Sequence, residues 1–460
     1  MSTLEPLETV AVDESLTAPT HRRRRIPRGL IIVAAVVVLA LVGGGAAVVT
    51  GDRSAGKSGP VDVQARDAAV SIILKHRRAA VLAHDQKVWM ADVDPQSAQF
   101  QRLQQTVFAN LKQVDFASWR YEVVNSEFSA PHLAHKYNAP YVLKPLLLHY
   151  AIKGYDLGPV ARPQVLTFVR RGDRWYLASD SDVDADLPVS GHADPWDRRA
   201  MVSVEGKNVL LLADAQDKAR LGALVSAGDA AVSRVAKMWP DGWRHKVVIV
   251  AVRDPRIIET YFPQSRGSSK NVSAIATPNY DAVAGWTPTN SKPYDARSDA
   301  EPRSRIILNP RYFNPYKSGN ADLLTHEITH VATQGETGAG APPWLVEGAA
   351  EYTAYREDWP FPITLPATLA AQVSKGSVYL PTYDFYDHDV WANYLAGFLT
   401  CAYVAHHYGE ATLRRYYRRI ASTPSAIQTL DRTRHVTRQV LGLSTEQLQR
   451  QVALYAASLG

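Results

Sequence analysis

Residues 323–352, LLTHEITHVATQGETGAGAPPWLVEGAAEY, decide how the rest of the chain is read. Apolar Leu323, Leu324, Ile328 and Val331 recur there at helical spacing. They lie between a good N-cap, Asn320, and a C-terminal stop, Gly335. The pattern predicts a helix over 321–334. On it His326 and His330 are four residues apart, so both imidazoles leave one face and can share one ion. Glu327 points about 100° further round. That puts it beside such an ion rather than on it, where a carboxylate can take a proton from water.

A catalytic zinc site has three protein ligands and one open position. A second helix, predicted over 344–356 after Pro342 and Pro343, carries Glu347 as the third candidate ligand. Glu351 follows one turn later, placed to accept a hydrogen bond from the free ring nitrogen of a ligating histidine. The glycine-rich stretch 335–341 lets the second helix fold back on the first. The bland alternative is an amphipathic helix with two surface histidines. Against it, a half-buried helix carrying two histidines and a glutamate needs partners for them.

With H-E-I-T-H at 326–330 and W-L-V-E-G-A-A-E-Y at 344–352, the chain resembles the gluzincin zinc metallopeptidases, the zincin clan that includes M1 and thermolysin-like enzymes. The resemblance implies one Zn2+ per chain on His326, His330 and Glu347, with Glu327 as general base and Glu351 as a support for a ligand. It implies a peptide or protein substrate, laid along an edge strand at 306–309 or 282–286. The segment 391–409, WANYLAGFLTCAYVAHHYG, resembles the later helix that carries a catalytic tyrosine in M1-like enzymes, implying Tyr394 as the oxyanion donor; His388, His406 and His407 are further candidates. Sixteen residues separate His330 from Glu347, fewer than either group suggests, and no G-x-M-E-N segment is present. Endopeptidase and aminopeptidase therefore both stay open.

Residues 29–50 contain no charged side chain. As a helix they would span about 33 Å, against a bilayer core of roughly 30 Å. Arg22 to Arg25 and Arg28 precede them. The expectation is a single-pass membrane anchor with a cytoplasmic N-terminus and extracytoplasmic C-terminal domains; a cleaved signal peptide is the competing reading. Arginine outnumbers lysine, 36 to 15, within a net charge of +6. That composition suits a GC-rich bacterium such as an actinobacterium. Five of the arginines sit in the basic flank, so no nucleic-acid partner is expected. One cysteine, Cys401, excludes an intramolecular disulfide.

The expected fold class is α+β: an N-terminal transmembrane helix, an NTF2-like cone domain, then a zincin-like domain with a helical C-terminal part. Domain boundaries follow from composition: 1–28 basic tail, 29–50 membrane helix, 51–63 linker, 64–180 cone domain, 181–200 linker, 201–460 peptidase domain. The cone domain rests on helices over 64–92 and 97–114, strands over 119–124 and 143–152, and a hairpin of 164–170 with 174–179. That pattern resembles the NTF2-like family, with no ligand or partner assigned. A β-α-β unit is expected over 208–253, then strands over 274–276, 282–286 and 305–309. The functional expectation is a membrane-anchored extracytoplasmic zinc metallopeptidase. The alternative is a catalytically silent zincin-like binding or sensor protein of the cell surface, and the presence of Glu327 speaks against it.

Overall fold

The computed structural model describes residues 62–124, 130–156, 158–183, 193–261, 272–278, 304–311, 320–360 and 363–459. Helices α1 (Val63–Ala83), α2 (Gln86–Ala91) and α3 (Ala98–Leu111) come first, with Asp62, Asp85 and Ser97 capping their N-termini. Strands β1 (Phe116–Val123), β2 (Tyr141–Ile152), β3 (Val160–Arg171) and β4 (Arg174–Ser179) form an antiparallel sheet in that order, with the short helix α4 (Leu133–Tyr137) between β1 and β2. The β3–β4 turn passes through Gly172 at φ 58°, which glycine adopts without steric cost. Arg77 lies inside this unit, 3.4 Å over the Trp89 ring. It donates to Gln104, which in turn donates to Asp180.

The second sheet has the order β5-β6-β7-β9-β8: β5 (Met201–Glu205), β6 (Val209–Asp214), β7 (Val247–Ala251), β8 (Ala274–Pro278) and β9 (Ser304–Leu308). The three central strands are parallel, and the two edges run antiparallel to them. Helix α5 (Leu221–Met238) makes the β6–β7 crossover, and α6 (Pro255–Tyr261) follows β7. Alternation along the strands feeds two cores, as period 2 requires. Val209, Leu211, Ile249, Ala276 and Ile306 pack with α5 and α7 (Asn320–Thr333). Leu210, Leu212 and Val248 pack on Trp89, Phe108, Leu111 and Trp119 of the N-terminal unit. The remaining helices are α8 (Pro343–Tyr355), α9 (Ala367–Ser374), α10 (Val390–Tyr408), α11 (Glu410–Ala421), α12 (Thr429–Leu441) and α13 (Thr445–Ala457).

The fold-class expectation needs correction. The described chain is α+β, but no helix among the described residues is long and apolar enough to cross a membrane. Residues 29–50 lie outside the described residues. The long apolar helix α10 buries residues 394–405 in the protein core, largely against α8. Also corrected is the edge strand: 306–309 lies mostly on β9, which is interior, because β8 is added outside it. The alternative edge strand, 282–286, lies outside the described residues.

The described part of 181–200 is packed rather than extended. Trp196 is 2% exposed among the aromatic rings of the N-terminal unit, and Asn110 binds the backbone of Trp196, Arg199 and Met201. Arg305 of β9 pairs with Asp156, which follows β2, with both side chains buried. Asp197 accepts the Asp194 N–H at 2.8 Å. Burial, then the carboxylates of Asp194 and Asp180, push Asp197 well above the usual carboxylate range. A raised folded-state value means the stability contribution is complete below the unfolded value, about 3.9, and is lost as pH rises through the folded value. Asp197→Asn keeps the acceptor and removes the charge. The expected result is a melting temperature above that of the unaltered chain by a margin that widens from pH 5 to pH 8 in thermal scans; a constant margin would contradict it.

Candidate metal centre

Three threonines and two apolar residues of helix α7 set the site. Thr325, Thr329 and Thr333 each return their hydroxyl to the carbonyl four residues back, at 2.7, 2.8 and 2.9 Å, so these buried oxygens need no outside partner. Its apolar residues Leu324 and Ile328 are fully buried beneath the sheet. The histidines are thereby turned toward α8. The turn between the two helices is clamped by backbone: Gly338 N–H donates to Ala421 O at 2.7 Å and Gly340 N–H to Thr423 O at 2.9 Å. A Cβ on Gly338 or Gly340 would sit 2.4 or 2.3 Å from backbone oxygens. These glycines are needed for close approach, not only for the reversal that the sequence suggests.

Helix α8 crosses α10 at another glycine pair. A Cβ on Gly348 would lie 2.4 Å from the Gly397 backbone, and one on Gly397 would lie 2.3 Å from Trp344 O. This crossing brings Glu347 to the histidines. His326 Nε2 and His330 Nε2 are 3.0 Å apart, and Glu347 Oε2 is 3.3 and 3.4 Å from them. A tetrahedral ion with bonds of about 2.1 Å has its ligands roughly 3.4 Å apart, so the three atoms have the spacing of a zinc ligand set. They also share the chemistry: two imidazoles and a carboxylate, fully buried or nearly so, converging on one point. At these distances the three groups need positive charge between them, from a bound cation or from protons on the imidazoles. The residues present therefore fit a divalent metal.

With no ion between them, the carboxylates and imidazoles compensate one another with protons, and an ion bound there would displace the proton from His326. Burial opposes a charged His326, but Glu351, Glu347 and Glu327 outweigh it and lift its pKa to about 10. Glu351 Oε1 is 3.2 Å from His326 Nδ1, the ring nitrogen turned away from Glu347. Glu347 is itself opposed by burial, yet His330 and His326 bring it down to about 2. Glu327 is fully buried beside the triad, and burial raises it to about 8. The backbone N–H of Ala276, on the edge strand β8, pulls in the other direction.

Tyr394 is 1% exposed, its ring tilted at 6.3 Å from that of His326. Burial, then Glu347, hold its hydroxyl well above the usual tyrosine value. A residue not read from sequence is better placed toward open space. Tyr386 donates to Glu347 Oε1 at 2.8 Å and lines a cavity that reaches Glu347. Its loop is held by Asn393, whose Nδ2 donates to Phe385 O and His388 O at 2.8 and 2.7 Å. The side chains of His406 and His407 pack near Tyr455, away from the triad. Tyr386 sits in an aperiodic loop, D-F-Y-D-H-D at 384–389, so no helical or strand pattern marks it. Its one signal is position, eight residues before Tyr394. No protein-family model matches the chain, and a search of curated proteins finds no match.

Proposed function

We propose that the chain is a zinc-dependent peptidase of gluzincin type. The observation that carries this reading is the 3.0, 3.3 and 3.4 Å spacing of His326, His330 and Glu347 with the carboxyl of Glu327 buried beside them. Zinc bound there would supply Lewis acidity toward a peptide carbonyl and toward water. Glu327 supplies the base: its carboxyl is shielded from solvent and next to the metal position, so it takes a proton from the attacking water and returns it to the leaving amine. Glu351 fixes the ring of His326 from behind. Tyr386, whose hydroxyl rests on Glu347 Oε1, lines the cavity and would have to turn from Glu347 to meet the substrate oxygen where charge develops; the enclosed Tyr394, also hydrogen-bonded to Glu347, is the second hydroxyl at the site. Strand β8, the edge of the sheet among the described residues, runs past Glu327, where an extended peptide could pair with its backbone.

Glu327 also favours an enzyme over a silent binding protein. A purely structural metal site would have no use for a buried carboxyl beside the ligands, and burying one is costly. The test is metal content and hydrolysis together. The purified chain is expected to hold about one zinc by mass spectrometry or atomic absorption, and to cleave members of a mixed peptide library. His330→Ala is expected to lose the zinc; full occupancy in that variant would overturn the ligand set. Zinc retained with no peptide cleaved would sink the peptidase reading.

A further inference from the structure

Two phenol groups converge on one candidate ligand. Tyr386, in the loop before α10, donates to Glu347 Oε1 at 2.8 Å, and the enclosed Tyr394 of α10 bonds the same carboxylate. The other oxygen, Glu347 Oε2, is the one nearest both imidazoles, at 3.3 and 3.4 Å. The carboxylate is thus divided, with Oε2 turned to the metal position and Oε1 turned to Tyr386. The loop that carries Tyr386 is anchored. Phe385 is fully buried, its ring 4.9 Å from that of Tyr386 and 5.1 Å from that of Tyr394. Asn393, in the first turn of α10, ties down carbonyls on both sides of Tyr386, Phe385 O at 2.8 Å and His388 O at 2.7 Å.

We infer that Tyr386 is a positioning residue, whose hydroxyl holds Glu347 to ligation through one oxygen and so tunes the site for zinc over oxygen-seeking cations such as Mn2+. This role presupposes the metal reading of the triad but not peptide cleavage. The two ions differ in what they need. Zinc takes four ligands in a compact tetrahedron, so one carboxylate oxygen is enough. Mn2+ favours roughly six, mostly oxygens, and a second carboxylate oxygen helps to fill such a shell. The hydrogen bond to Oε1 fixes the plane of the carboxylate. Swinging both oxygens onto one ion therefore means breaking a charge-assisted bond. Phenylalanine at 386 has no such bond to break and leaves Oε1 able to turn.

The test compares two metals on the full chain, without substrate. Zinc affinity is measured by competition with a chelator and Mn2+ affinity by electron paramagnetic resonance. Loss of a hydrogen-bonded support behind a ligand weakens metal binding by about 10–100-fold. In Tyr386→Phe that loss is expected for zinc while Mn2+ affinity holds or rises, so the ratio of the two falls at least about tenfold. Tyr383→Phe removes a neighbouring hydroxyl that bonds Ala426 O at 3.0 Å, and is expected to change neither affinity. Asn393→Ala keeps the Tyr386 hydroxyl but unties its loop; a fall in the ratio there decides the matter if Tyr386→Phe does not fold. Parallel loss of both metals in Tyr386→Phe would mean a purely structural role and overturn the inference. Unchanged affinities would overturn it too, and a fall in kcat alone would assign the hydroxyl to the substrate oxygen instead. An unaltered chain that binds no zinc would remove the ligand set and this role together. One that binds zinc, shows the shift in ratio and cleaves no peptide would remove the peptidase reading and leave the role standing.

Discussion

Glu327→Gln is expected to retain its zinc and lose hydrolysis, with kcat lower by roughly 10²–10⁴, the usual worth of a positioned general base. The substitution is nearly isosteric, and the carboxyl makes no contribution to the ligand triangle, so metal content should stay near one per chain. Burial already disfavours the charged carboxylate, with its pKa raised to about 8. Glutamine keeps the shape of the side chain, so the melting temperature of the metal-free variant should be unchanged or higher, while bound zinc would favour the carboxylate and narrow that difference. A variant with full zinc and undiminished kcat would remove Glu327 from the chemistry. A variant that loses its zinc would place the carboxyl in the ligand set after all.

The second large effect is expected at the helix crossing. Gly397→Ala inserts a Cβ 2.3 Å from Trp344 O and 3.2 Å from Gly348 Cα. These are backbone atoms, so no rotamer change relieves the clash and α8 must move away from α10. Overpacking of this kind costs about 1–3 kcal/mol or more. Because α8 carries Glu347 one residue from Gly348, the same movement widens the ligand triangle. Gly397→Ala should therefore lower both the melting temperature and the zinc affinity, measured by thermal scans and by competition with a chelator. Lower stability with unchanged zinc affinity would show that the crossing holds the fold but not the metal geometry.

The parts of this site that follow a period are legible in the sequence. Helices α7 and α5 announce themselves by apolar residues at helical spacing, and α8, α10, β6 and β7 by apolar runs of helix or strand length; the structure has them within a few residues of those places. The His326–His330 pair follows, because i and i+4 positions on a helix meet; Glu347 joins it only through the packing of α8 on α7 and α10. Features set by chain pairs distant in sequence are not legible. Nothing in S-A-I-A-T shows that β8 lies outside β9 and so takes the sheet edge from it. Nothing in G-A-G shows that Gly338 and Gly340 receive the backbone of 421–425. The short strand β5 was missed for a related reason: an antiparallel edge of five residues has too little period to register. Tyr386 belongs with these, since a loop residue reaches Glu347 only through the fold around it.

The N-terminal unit covers the rear of the second sheet with Trp89, Phe108, Leu111 and Trp119 set against Leu210, Leu212 and Val248. The sheet is thus a party wall, and its two sides cannot change independently over evolutionary time. A lineage that discarded residues 64–180 would have to repaint Leu210, Leu212 and Val248 with polar side chains and find a new counter-charge for Arg305. A lineage that kept the wall would find recombination between distant relatives difficult anywhere along it, so the two units are expected to travel through genomes as one inheritance.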